Sequence, residues 1–205
     1  MRFANQSAFD DPDHKLAALG YSFHPQTTIY LDPHGREQAL TQSGGMMNPA
    51  RQELRAGTAL YKYSDQTQSP DTYLSSGWWL ARAQLDHVIA YAEREGVPEG
   101  YAVRLLCCVP PEWGSRLDLV VGVRLSADLL AFRGLAKSAV GRDARGRTAI
   151  RAQNENPNLR LPQLYVPGLR EVRTNKQTER HRYWFQEVGR WPVRNPYTWI
   201  YRGTT

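Results

Sequence analysis

The stretch 57–92, GTALYKYSDQTQSPDTYLSSGWWLARAQLDHVIAYA, constrains the fold more than any other part of the chain. It sets a short strand, a polar turn, paired serines, paired tryptophans and a helix in immediate succession. In the strand, Ala59, Tyr61 and Tyr63 alternate with Leu60, Lys62 and Ser64, so one basic side chain leaves the face opposite two aromatic rings. In the helix, predicted over 80–95, Leu85, Val88, Ile89 and Ala92 recur at i, i+3, i+4 and i+7, while Arg82, Asp86, Glu93 and Arg94 take the remaining positions. Gly96 and Pro98 stop it.

A chain of 205 residues can bury one core without metals or disulfides, so a single folded unit is expected. Residues 1–55 are polar, carry Pro12, Pro25, Pro33, Pro49 and the Gly44-Gly45 pair, and read as an extension or linker ahead of a domain over 56–205. His14, His24 and His34, near Asp13 and Asp32, have nothing to fix them on a common face and read as surface histidines rather than a metal site. Tyr101–Val109 and Leu117–Leu125 are near-continuous apolar runs, which predicts two strands buried on both faces. On that reading the adjacent Cys107 and Cys108 point to opposite faces and stay reduced. Asp128–Phe132 predicts a short helix or strand, and 134–160 a basic, irregular loop. A strand over Gln163–Val166, a Pro167-Gly168 turn and an extended Leu169–Arg173 follow, then aromatic-rich strands over Arg182–Val188 and Tyr197–Tyr201. The expected class is α+β, with a split, twisted, mostly antiparallel sheet of about six to eight short strands and one main helix.

The formal charge of +6 and a pI near 9.5 suit a phosphate-bearing partner. No apolar run approaches the roughly 18 residues a bilayer span needs, and the N-terminus lacks the apolar core of a secretory signal. No membrane partner is therefore expected, and the chain is expected to be cytoplasmic, or delivered into a target cell without a cleaved signal. Residues 141–148, GRDARGRT, approach the phosphate-loop pattern but lack the strand before and the helix after that phosphate binding requires. No G-x-G-x-x-G, C-x-x-C, H-E-x-x-H or G-x-S-x-G occurs, which leaves doubly wound dinucleotide domains, zinc sites and hydrolase triads without local support.

Lys62 in LYKYS, Ser75-Ser76 in YLSSGWW and the polar residues of QLYVPGLREV form a different constellation. A cation on a first core strand can hold a pyrophosphate, serines can fix its surroundings, an aromatic ring can stack on a cationic heterocycle, and a late polar group can bind a ribose hydroxyl. An enzyme that breaks a nicotinamide to ribose bond through an oxocarbenium-like transition state needs these groups. Each also has a plainer role: Lys62 as an edge-strand lysine, the tryptophans as core, Ser75-Ser76-Gly77 as a helix cap, Glu171 as half of a surface ion pair.

Over roughly 57–190, the order of LYKYS on a strand, a serine-containing segment leading into a helix, and late short strands bearing Gln and Glu after a loop resembles the mono-ADP-ribosyltransferase superfamily of toxins and effectors. The resemblance implies an ADP-ribosyltransferase-like fold, NAD as substrate and a bacterial effector or toxin. It puts Lys62 where the family carries an arginine on phosphate, and Ser75 or Ser76 at the middle serine element. Tyr73, Trp78 or Trp79 would border the nicotinamide, and Gln163 or Glu171 would stand at the catalytic glutamate position, with Glu187 as a third carboxylate. The basic segment 134–160 would then meet a macromolecular acceptor, protein or nucleic acid, and an immunity or inhibitor protein would cover the site. The competing expectation is a nucleic-acid-binding or RNA/DNA-cleaving module, with the arginines of 180–202 on phosphates and Tyr183, Trp184, Trp191 and Trp199 stacked on bases.

Overall fold

The computed structural model describes residues 2–22, 30–31, 37–38, 41–42, 44–110, 115–142, 148–150 and 159–194. They form an α+β domain built on one sheet whose neighbouring strands are all antiparallel. In chain order the strands are β1 (Met46–Leu54), β2 (Ala59–Ser64), β3 (Trp78–Ala81), β4 (Leu119–Leu125), β5 (Leu129–Ala136), β6 (Pro162–Tyr165) and β7 (Phe185–Pro192). Across the sheet they run β7-β4-β2-β3-β6-β5-β1. The helices are α1 (Gln6–Asp10), α2 (Pro12–Ala18), α3 (Pro70–Leu74), α4 (Arg82–Glu95), α5 (Glu99–Cys107) and α6 (His181–Trp184).

The apolar run of β4 is buried on both faces, as its sequence predicts, because separate cores form on either side of it. On one side Val120, Tyr63 and Leu80 meet Leu85, Val88 and Ala92 of α4 and Ala102, Val103 and Leu106 of α5. On the other, Val121, Val123, Leu60, Trp79 and Leu164 meet Leu169, Trp184 and Phe185. Helix α4 ends at Gly96, whose φ of 63° is the left-handed cap conformation that favours glycine.

The register of β3 shapes everything near the site. Ala81 and Leu80 pair with Leu60 and Tyr61 of β2, whereas Trp79 and Trp78 pair with Leu164 and Tyr165 of β6. Strand β3 therefore changes partner halfway, and Lys62–Ser64 of β2 keep only β4 as a neighbour.

Four segments depart from the sequence reading. Tyr101–Val109 is not a strand: Glu99–Cys107 is helix α5, begun after Pro98 with Glu99 in its first turn. A short apolar run fits a buried helix as well as a buried strand, and only the packing against α4 separates them. Cys107 accordingly ends a helix and Cys108 takes a left-handed φ of 53°, so they do not flank a strand; both are free thiols, and burial pushes Cys107 up to about 12. Leu80 and Ala81 belong to β3, so Ser75-Ser76-Gly77 leads into a strand and starts no helix; Ser75 instead caps the C-terminal end of α3. Leu169–Arg173 is a turn whose single ladder contact is Arg170 with Gln177. His181–Trp184 makes one helical turn before β7 begins.

Residues on both sides of position 55 share the sheet. Strand β1 pairs with β5 along its length, and its alternating exposure explains why an edge strand looks polar in sequence. Pro49 falls at the register shift between Met47 and Ala50, where a missing N–H costs no ladder bond. Further upstream, the Asn5 amide donates to the carbonyls of Leu130 and Pro167 and its oxygen accepts from Leu130 N, which ties α1 to β5. His14 is buried, while His24 and His34 lie outside the described residues, as does Tyr197–Tyr201. No helix among the described residues is long and apolar enough to cross a membrane.

Candidate functional site

Where β2 and β3 cease to pair, a cavity of about 580 Å³ opens, within the range that holds a small-molecule ligand. Lys62 projects into it from β2. Its Nζ donates to the Tyr73 carbonyl at the end of α3 (2.9 Å) and lies 5.1 Å from the centroid of the Trp79 ring. Burial, with a lesser push from Arg170, lowers the ammonium from its ordinary 10.5 to about 7. Helix α3 holds that carbonyl in place through Ser69, whose hydroxyl accepts from Thr72 N, and through Pro70 in its first turn.

Arg170 enters from the turn after β6. Its guanidinium donates to the Asn175 side-chain and backbone oxygens and reaches Ser75 Oγ at 3.5 Å, all of them neutral acceptors. Glu171, next to it, supplies the cavity wall's one carboxylate among the described residues. Its Oε2 accepts from the Thr174 hydroxyl at 2.6 Å and its N–H donates to the Lys176 carbonyl, so the turn itself orients the acid.

The aromatic residues divide. Trp78 is half-buried in the wall, 5.2 Å from Tyr165, whose hydroxyl meets His14 Nδ1 at 3.2 Å. Trp79 and Tyr73 also line the cavity, but Trp79 is held in the core: it lies edge-on to Phe185 and its Nε1 donates to the Ser76 carbonyl. Tyr73 is buried, with its hydroxyl donating to Glu187 on β7 at 3.0 Å.

Of the other residues singled out from sequence, Ser76 lines the cavity, and its hydroxyl accepts from Trp78 N. Ser75 is fully buried behind the wall and donates to the Thr72 carbonyl. Gln163 lines the cavity too, but its amide N–H already donates to the Cys107 carbonyl (2.8 Å), tying β6 to the end of α5. Glu187 lies outside the wall and pairs with Arg190. Much of the basic segment 134–160, namely 143–147 and 151–158, lies outside the described residues.

No family model, curated protein or solved structure matches the chain.

The geometry of the cavity alone therefore defines what it can bind. Two cations, a half-buried indole against a phenol, serine hydroxyls, side-chain amides and one carboxylate suit a ligand that carries an anion, a flat ring and hydroxyls. Among the described residues no three His, Cys, Asp or Glu side chains are grouped to hold a metal ion.

Sequence reasoning missed three parts of the wall. Arg170 has no role of its own in the sequence reading of QLYVPGLREV, and its inward direction depends on the turn that replaced the strand. Tyr165 follows from the alternation in β6, where Leu164 faces the opposite core. The third part is N-terminal: Ala17, Gly20, Tyr21 and Gly45 close one side. Gly20 (φ 91°) and Gly45 (φ 78°) cross so closely that a Cβ on Gly45 would lie 2.3 Å from the Gly20 nitrogen. Gly45→Ala is expected to cost about 2–4 kcal/mol, from left-handed strain plus a backbone clash, read as a fall in the thermal unfolding midpoint.

Proposed function

We propose that this cavity binds NAD and that the protein is a mono-ADP-ribosyltransferase of bacterial effector or toxin type, with an ADP-ribosyltransferase-like arrangement of its sheet. The observation that carries the reading is the meeting, in one cavity, of Lys62, Ser76, Trp78, Gln163 and Glu171. In this reading the Lys62 ammonium holds the pyrophosphate, and Trp78 stacks on the positively charged nicotinamide ring. The free oxygen of the Gln163 amide accepts a ribose hydroxyl.

Glu171 accepts the other ribose hydroxyl and stabilises, by its charge, the oxocarbenium character that grows as the nicotinamide to ribose bond breaks. Nicotinamide leaves with the bonding pair. The acceptor's nucleophile then forms the new bond to the anomeric carbon and gives its proton to water or to Glu171. Glu171 is exposed at the mouth, where a macromolecular acceptor can approach it. The basic segment 134–160 is proposed to meet that acceptor, and an immunity or inhibitor protein to block the same mouth.

Incubation of the purified chain with NAD, followed by chromatographic measurement of free nicotinamide, tests the reading. Steady release above that of a heat-unfolded control is expected; none, with or without a cell extract as acceptor, would remove the transferase proposal.

The nucleic-acid reading draws on the exposed Tyr183 and Trp191 beside Arg182 and Arg190. Those arginines are already paired, Arg182 with Asp71 and Glu179 and Arg190 with Glu187, which leaves less charge for phosphates. This reading predicts RNA or DNA affinity that falls steeply with salt and no nicotinamide release.

A further inference from the structure

Buried or half-buried cations in a folded chain normally meet a carboxylate, since an unpaired charge removed from water is costly. Nearby arginines that are mostly exposed follow the same rule: Arg173 bonds Asp13 and, in α6, Arg182 bonds Asp71. Arg170 departs from it. Its partners are an asparagine and a serine, and Glu171 bonds Thr174. Lys62 departs as well, since a carbonyl and an indole ring surround its ammonium. Both line the same cavity, burial disfavours the charged form of each, and the charge of Arg170 adds to that effect on Lys62. An arrangement of two like charges with only neutral partners is completed by an anion between them.

We propose that Arg170 and Lys62 together form a seat for a diphosphate group, with Arg170 a binding residue in its own right. The proposal deepens the NAD reading and rests on it for the identity of the anion. The two side chains suit different parts of the task. Arg170 presents a planar fork that can bond two oxygens of one phosphate, and Asn175 and Ser75 hold it in place without neutralising it. Lys62 supplies a compact point charge fixed by Tyr73, fit for a bridging or neighbouring oxygen. A ligand with a single carboxylate would satisfy one cation and leave the other buried and uncompensated.

The test titrates inorganic pyrophosphate, then ADP, into the full chain by calorimetry, with nicotinamide riboside as a ligand that lacks the diphosphate. Pyrophosphate and ADP are expected to bind the wild type. Arg170→Met and Lys62→Met are each expected to weaken them about 10–100-fold, and Arg170→Lys to recover part of the loss. Riboside affinity is expected to stay unchanged. Circular dichroism and thermal unfolding confirm the fold of each variant, and Arg170→Lys keeps the question open to measurement should the methionine variant not fold. Failure of pyrophosphate to bind the wild type overturns the seat, as does equal affinity in a folded Arg170→Met. Binding that needs both cations but comes with no nicotinamide release keeps the seat and removes the transferase. Nicotinamide release with no dependence on Arg170 does the reverse.

Discussion

Glu171→Gln is expected to slow nicotinamide release at least about 100-fold while leaving NAD affinity within a few-fold. The change is isosteric, and the glutamine oxygen can still accept from the Thr174 hydroxyl, so the turn that carries it should stand. What disappears is the negative charge opposite the developing oxocarbenium, and charge stabilisation of that kind acts on the transition state far more than on the bound substrate. Gln163→Ala separates the two late candidates. It removes the bond to the Cys107 carbonyl and is expected to cost about 1 kcal/mol of stability, with a smaller effect on rate than Glu171→Gln. Steady-state rates and binding constants for both variants decide the assignment. A Glu171→Gln enzyme as fast as wild type, or a Gln163→Ala enzyme that binds NAD normally and cannot turn it over, would exchange their roles.

Lys62→Met is expected to raise the unfolding midpoint of the ligand-free chain by several degrees below neutral pH and to cut stabilisation by NAD, whose binding weakens about 10–100-fold. In the ligand-free protein Lys62 holds its proton only up to about pH 7, against 10.5 for the unfolded side chain. Between those values the unfolded chain binds the extra proton, so stability rises with pH; below about 7 both states are charged and the folded one carries the full cost. Replacing the ammonium with an apolar side chain of similar length removes that cost, for a gain of about 1–3 kcal/mol after the lost bond to Tyr73 and the contact with Trp79 are counted. The gain should shrink towards pH 10.

Ligand binding runs the other way. A diphosphate favours the ammonium, so binding above about pH 7 takes up a proton, and affinity should fall by up to about tenfold per pH unit. The other charges of the wall are Arg170, which adds to the effect of burial on Lys62, and Glu171. Burial holds Tyr63, Tyr73 and Tyr165 above the usual phenol range, and it pushes the Cys107 and Cys108 thiols up. Thermal unfolding of both proteins across this range, with and without NAD, measures all of these effects. A Lys62→Met chain that is less stable at low pH would contradict the account of Lys62 as a strained cation.

The parts of the fold that were legible in the sequence are those whose burial pattern is local. The alternation of Ala59–Ser64, the apolar stripe of α4 and the apolar run of β4 each carry their own signature. Helix α5 was not legible, because a run as short as YAVRLLCCV can be buried in either conformation. Strand β1 was hidden by the polarity proper to an edge. The change of partner along β3, which opens the cavity, is a matter of register between distant strands, and no residue of SGWWLA announces it. The same limit applied to the site. Lys62, Ser76, Trp78, Gln163 and Glu171 were named for chemistry that each could supply, whereas Arg170 points inward only because the chain turns at Pro167-Gly168 and does not extend.

Calorimetric titration of NAD into the full chain at about pH 6, in two buffers of different ionisation heat, tests the central claim most directly. The account predicts one saturable site, weaker at about pH 8.5, with proton uptake growing between these values, and weakened about 10–100-fold at pH 6 in Lys62→Met. An absence of binding at millimolar NAD, or affinity that Lys62→Met leaves unchanged, would contradict it.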